Sequence, residues 1–126
     1  MNTVDKIANR YLVEKQAGNS KIIAVVDRHG DIELRTYEFQ TNLEWQHFKE
    51  AGDNAVQNMQ KTGQALVKAI KKQSGGVEYE TIPGYAHISP LKHLYISITI
   101  RAKRDAAAYD ILSQAIKSIG LREYQI

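Results

Sequence analysis

Apolar positions recur along this chain with two different periods, and the switches between them mark out its elements. Between Thr3 and Ala17, Val4, Ile7, Ala8, Tyr11 and Leu12 fall on one side of a helix, with Asp5, Lys6, Asn9 and Arg10 on the other. Thr3 is placed as an N-cap, Asp5 complements the dipole in the first turn, and Gly18 stands where a left-handed C-terminal residue is wanted. From Lys21 to Phe39 the period changes to two. Ile22 to Val26 form a short, mostly β-branched run. Ile32, Leu34 and Thr36 then alternate with Glu33, Arg35 and Tyr37. Asp27-Arg28-His29-Gly30-Asp31 supplies turn formers between the two runs, so a hairpin is expected.

Thr41 and Glu44 fit a capping box that opens a long helical pattern, reaching to about Gln73. Trp45, Phe48, Gly52, Ala55, Val56, Met59, Gly63, Leu66 and Ile70 occupy one arc about 100° wide, with Gln57, Lys61, Gln64, Lys68 and Lys71 opposite. The phase holds through Ala51-Gly52-Asp53-Asn54, which favours one continuous helix over two meeting at a kink at Gly52. Gly52 and Gly63 each cost about 1 kcal/mol of helix propensity, and close approach of another backbone is the expected compensation. About 30 residues at about 1.5 Å each span roughly 45 Å. A globule of this size is about 35 Å across. Such a helix overhangs its own domain, and the reading leans towards a homodimer that covers the overhang.

Ser74-Gly75-Gly76 breaks the helix. Val77 to Ile82 reads as a strand, with Val77, Tyr79 and Thr81 on one face and Glu78 and Glu80 on the other. Pro83 to Pro90 reads as a loop, because Pro and Gly interrupt any period. Leu94, Ile96, Ile98 and Ile100 then alternate cleanly with Tyr95, Ser97, Thr99 and Arg101. Asp105 is expected to start a last helix, with Ala108, Leu112, Ala115 and Ile119 inward and Gly120 ending it. Leu121 to Ile126 is expected as a short strand. The sum is a single α+β domain over residues 1–126. It has an antiparallel or mixed sheet of about five strands, the early hairpin included, and three helices, one of them long.

Composition narrows the classes. At 43% hydrophobic and 25% charged residues, the chain can bury a core, unlike a disordered segment. Cysteine is absent, so disulfides, thiol nucleophiles and thiolate metal sites are excluded. The longest uncharged stretch, Thr81 to Leu91, holds two prolines and is too short to span a bilayer. Charge from Asp5 onward leaves no apolar signal-peptide core. A cytoplasmic protein without membrane attachment is the expectation.

Charge is distributed unevenly. Before Lys61 there are 7 Lys+Arg against 9 Asp+Glu, and from Lys61 onward 10 against 5. Lys61, Lys68, Lys71 and Lys72 lie in one acid-free window, and Lys92, Arg101 and Lys103, with Arg104 beside them, in another. If folding joins the two clusters, they form a face that attracts a polyanion. Otherwise each is a solubilising surface. The polar side of the last long strand adds a second feature. Tyr95 could stack a base, Ser97 and Thr99 could contact phosphate or sugar, and Arg101, Lys103 and Arg104 could position phosphates near a helix N-terminus. Tyr and Thr are, however, good strand formers in any sheet.

Other constellations are weaker. Asp27, His29 and Asp31 could ligate a metal, yet a solvated turn contains the same residues. His87 and His93, near Ser89 and Ser97, hint at a histidine phosphoesterase or transferase, but no carboxylate is evident to orient either imidazole. Trp45, Phe48 and Met59 at helical spacing read as core or dimer interface, not as a ligand box. Gly75-Gly76 is a helix stop without the Lys or Ser of a phosphate loop. The function expected first is a small, non-enzymatic, self-associating protein that engages an anionic partner, nucleic acid or a nucleotide, with no cofactor or metal. A protein-interaction or assembly subunit is the rival, and a small His-dependent phosphoesterase or transferase the third reading.

Overall fold

Asp27 organises the first hairpin. Its Oδ1 accepts the backbone N–H groups of His29 at 2.7 Å and Asp31 at 3.1 Å. Gly30 takes φ 82°, and Asp27 N donates to Asp31 O at 2.9 Å. This local hydrogen bonding is what an aspartate at a turn provides. β1 (Ile23–Val26) and β2 (Ile32–Arg35) pair antiparallel on either side of it.

A computed structural model of the chain describes residues 22–36, 39–40, 45–88 and 93–125. Along these, β3 (Phe39–Gln40) is followed by helix α1 (Trp45–Ser74), strands β4 (Tyr79–Ile88) and β5 (His93–Ala102), helix α2 (Tyr109–Ser118) and β6 (Arg122–Gln125). The fold is α+β with a mixed sheet. β5 lies between β4 on one side and β2 with β3 on the other; β1 follows β2, and β6 pairs parallel to β1 while all other pairs are antiparallel. β3 continues the line of β2 past a register change, so six strand segments form five ranks. At this break Ile96 N donates to the Thr36 hydroxyl at 3.0 Å, and Thr36 N donates to Ile96 O at 2.9 Å. A side chain thus satisfies a ladder donor.

Both described helices cover one face of the sheet. Ala55, Met59, Leu66 and Ile70 of α1 and Leu112, Ala115 and Ile116 of α2 join Ala24, Val26, Leu34, Ile96, Ile98 and Ile100 in one core. α1 is unbroken from Trp45 to Ser74, as the conserved phase of its apolar stripe implied. At buried Gly63 the close approach comes from side chains and not from another backbone: a Cβ there would meet Ile98 Cδ1 at 2.7 Å and Thr81 Cγ2 at 3.2 Å. Both helices end on a left-handed glycine, Gly75 at φ 76° and Gly120 at φ 80°. Gly76 N donates back to Lys71 O, and Leu121 N to Ile116 O, as in Schellman ends.

Three expectations change. The strand read as Val77 to Ile82 runs on as β4 to Ile88, through the segment read as a loop. Pro83 and Gly84 form a bulge between Ile82 and Tyr85, and among the described residues β4 pairs only with β5, an edge position where a missing N–H is tolerated. The last helix begins at Tyr109 with Ala108 as N-cap, so Asp105 lies in the preceding turn and does not start it. Ala107 and Ile116 are buried, whereas Ala108 is exposed and Ile119 only half-buried. Two helices stand among the described residues. The third, expected over Thr3 to Ala17, and the capping box at Thr41 and Glu44 lie outside them, as do the side chains of Trp45 and Phe48.

Candidate functional site

The basic residues divide between the two sides of the sheet. With Leu66 and Ile70 fixing the inward direction of α1, Lys61 and Lys68 point within about 20° of straight outward, and Lys71 and Lys72 flank them at about 120–140° from the core direction. All four are exposed. Gln57 precedes Lys61 on the same face and Gln64 lies between Lys61 and Lys68, and no acidic residue occurs along the chain from Asn54 to Val77. Lys71 Nζ reaches Glu78 Oε1 at 3.5 Å, whereas no ion pair joins Lys61, Lys68 or Lys72 among the described residues. Lys71 and Lys72 also occupy the last turn, where positive charge complements the helix dipole.

Glu78 links the end of this stripe to the second cluster. Its carbonyl oxygen accepts the N–H of Lys103 at 3.0 Å while its carboxylate holds Lys71. The turn carrying exposed Lys103 and Arg104 therefore sits at the carboxy-terminal end of α1. Arg101 does not join them. Strand alternation sends it, with Tyr95, Ser97 and Thr99, to the face that α1 and α2 leave open. There Arg101 Nε pairs with Asp31 Oδ2 at 3.3 Å. A single basic face uniting all the expected residues is thus replaced by a stripe on α1 and its adjoining turn. Lys92 lies outside the described residues.

The open face has a different character. Tyr95 donates to Glu33 Oε1 at 3.4 Å, and Arg35 contacts the same oxygen at 3.5 Å. With Glu80 opposite Arg101, its charge is mixed. Its rim on β4 is aromatic, and Tyr85 is 53% exposed. The Tyr85 ring stacks on His87 at 6.0 Å between centroids and meets Tyr95 at 5.6 Å with a 55° tilt. Tyr85 was hidden inside the segment read as a loop. The signal that could have found it is the resumed alternation of Tyr85 and His87 after the bulge. No hydrogen bond or ion pair reaches His87 among the described residues, and the side chain of His93 lies outside them. Ser97 and Thr99 are half-buried beside Tyr95.

At the hairpin, Asp27 directs Oδ1 to its own turn, and no group of three or more His, Asp or Glu is placed to hold a metal ion among the described residues. Nor is any described helix long and apolar enough to cross a membrane. Compared with protein-family models, curated proteins and solved structures, the chain matches none.

Proposed function

We propose that this is a non-enzymatic cytoplasmic protein that binds a polyanion, nucleic acid, along the outer side of α1 and the turn after β5. The observation that carries the reading is the exposed stripe of Lys61, Lys68, Lys71 and Lys72, with no acid among them on α1, and with Lys103 and Arg104 in the turn that Glu78 joins to its end. Lys61 to Lys72 spans about 16 Å along the helix axis, long enough to meet successive phosphates of one strand. Such a surface attracts the backbone without reading sequence. Arg101 and Tyr95, on the opposite face, take no part. Fluorescence anisotropy with labelled single-stranded and duplex oligonucleotides at low salt tests it. Binding that tolerates changes of base sequence supports the reading, and no binding at micromolar protein rejects it.

Self-association belongs to the same proposal. α1 spans about 45 Å while the ten-residue strands β4 and β5 span about 33 Å, a difference in length that a second copy of the chain would cover. Sedimentation equilibrium gives the mass that decides it.

A protein-interaction role is the second reading, favoured by the ring cluster at the sheet edge, where exposed Tyr85 and His87 lie against half-buried Tyr95. Aromatic residues are enriched in protein interfaces. The mixed charge beside the cluster fits a protein surface better than a polyanion.

A further inference from the structure

The first hairpin turn and the approach to α2 enclose a cavity of about 350 Å³. Sites for small molecules begin at about 300 Å³. Buried Val26 and Leu112 give it an apolar lining, and Tyr109, the first residue of α2, lines it while remaining 44% exposed. The Tyr109 hydroxyl donates to Glu123 Oε1 at 2.8 Å, which holds the ring in place. Two basic residues of the turn, Arg28 and His29, line the same cavity and are exposed.

The cavity is preformed. Gly30 and Ala107 stand on its two sides, and the buried Tyr79 hydroxyl joins them, donating to Gly30 O at 2.9 Å and accepting from Ala107 N at 3.1 Å. Gly30 also packs so closely on Ala106 that a Cβ there would meet Ala106 Cβ at 2.6 Å. Such preorganisation removes part of the ordering cost of binding. Positive charge is left over at this site. Both carboxylates of the turn are engaged, Asp27 Oδ1 by the N–H groups of His29 and Asp31, and Asp31 Oδ2 by Arg101. No hydrogen bond or ion pair reaches the side chains of Arg28 and His29 among the described residues. Arg28 keeps its charge at any ordinary pH and presents a fork of N–H donors that matches a carboxylate or phosphate.

We propose that this cavity is a binding site for a small organic anion. Its flat apolar body lies against Tyr109, Val26 and Leu112, and its anionic group meets Arg28 and His29. The apolar lining disfavours a bare inorganic anion, and the guanidinium disfavours a neutral ring. None of these residues belongs to the α1 stripe, so the inference stands independently of the polyanion reading.

Phenyl phosphate is the probe, followed by amide NMR shifts on the full chain. Saturable shifts are expected at Gly30 and Ala107, at concentrations at least about tenfold below those at which inorganic phosphate or phenol produces them. Arg28→Gln alters an exposed side chain that no hydrogen bond holds. It should weaken phenyl phosphate at least about fivefold and leave phenol unchanged. Lys68→Gln should change neither. No saturable shift at Gly30 or Ala107 by about 10 mM phenyl phosphate would overturn the proposal. So would phenol binding as tightly, or inorganic phosphate doing so, the latter marking an adventitious ion only. An affinity untouched by Arg28→Gln, or reduced equally by Lys68→Gln, contradicts it as well.

Discussion

The Tyr79 hydroxyl donates to the Gly30 carbonyl oxygen at 2.9 Å, tying the edge strand β4 to the hairpin turn across the core. The same hydroxyl accepts the N–H of Ala107 at 3.1 Å, so one buried oxygen holds both the turn and the approach to α2. Tyr79→Phe leaves that buried N–H without its acceptor. A loss of about 1–3 kcal/mol is expected, measured by urea unfolding.

Tyr79 also predicts an alkaline limit to stability. Burial pushes its hydroxyl above the usual value of 10.0; the Ala107 N–H pulls the other way, and the Asp31 and Asp27 carboxylates push it further up. The folded state therefore keeps a proton that the unfolded state releases. Its contribution is constant below pH 10 and declines as pH rises from about 10 through the raised folded value. In unfolding scans between pH 8 and 11, Tyr79→Phe should show a shallower decline than the unaltered protein. Tyr109, raised by its hydrogen bond to Glu123, is exposed, and Tyr109→Phe should change the profile less.

The bulge in β4 gives a third prediction. A Cβ on Gly84 would meet the carbonyl oxygen of Ser97, which is backbone of the neighbouring strand. Gly84→Ala should cost about 2 kcal/mol or more, because a strand must move. Gly63→Ala meets only methyl ends at 2.7–3.3 Å and gains helix propensity. Its expected change is within about 1 kcal/mol of zero. Thermal unfolding of the two variants provides the comparison.

Locally encoded features were legible in the residues, and those set by distant pairing were not. Asp27 and Gly30 carry the hairpin turn in their own chemistry, Ile96, Ile98 and Ile100 state their inward face by alternation, and Ala55 through Ile70 keep phase along α1. Pro83 and Gly84 read as breakers because a sequence does not tell an edge strand, which tolerates them, from a central one. Nothing near Tyr79 announces that its hydroxyl meets Gly30, 49 positions away. The separation of Arg101 from the α1 lysines depends on which face the helices choose. Alternation defines two faces of β5, and packing decides between them.

The aromatic rim supplies a fourth prediction. Tyr85 and His87 rest on one another at the surface, so replacing both by Ala should change stability by less than about 1 kcal/mol. If this rim docks a protein, the same variant loses that partner in a pull-down while its affinity for oligonucleotides is unchanged.

The most direct test of the lysine stripe is the salt dependence of duplex-DNA binding by the unaltered protein, the triple variant Lys61→Gln, Lys68→Gln, Lys72→Gln, and Arg101→Gln. Each lost phosphate contact lowers the slope of log K against log salt by about 0.9. The triple variant should therefore lose about 2–3 from the slope, with Arg101→Gln matching the unaltered protein. A slope unchanged in the triple variant, or reduced only by Arg101→Gln, would contradict the assignment to α1.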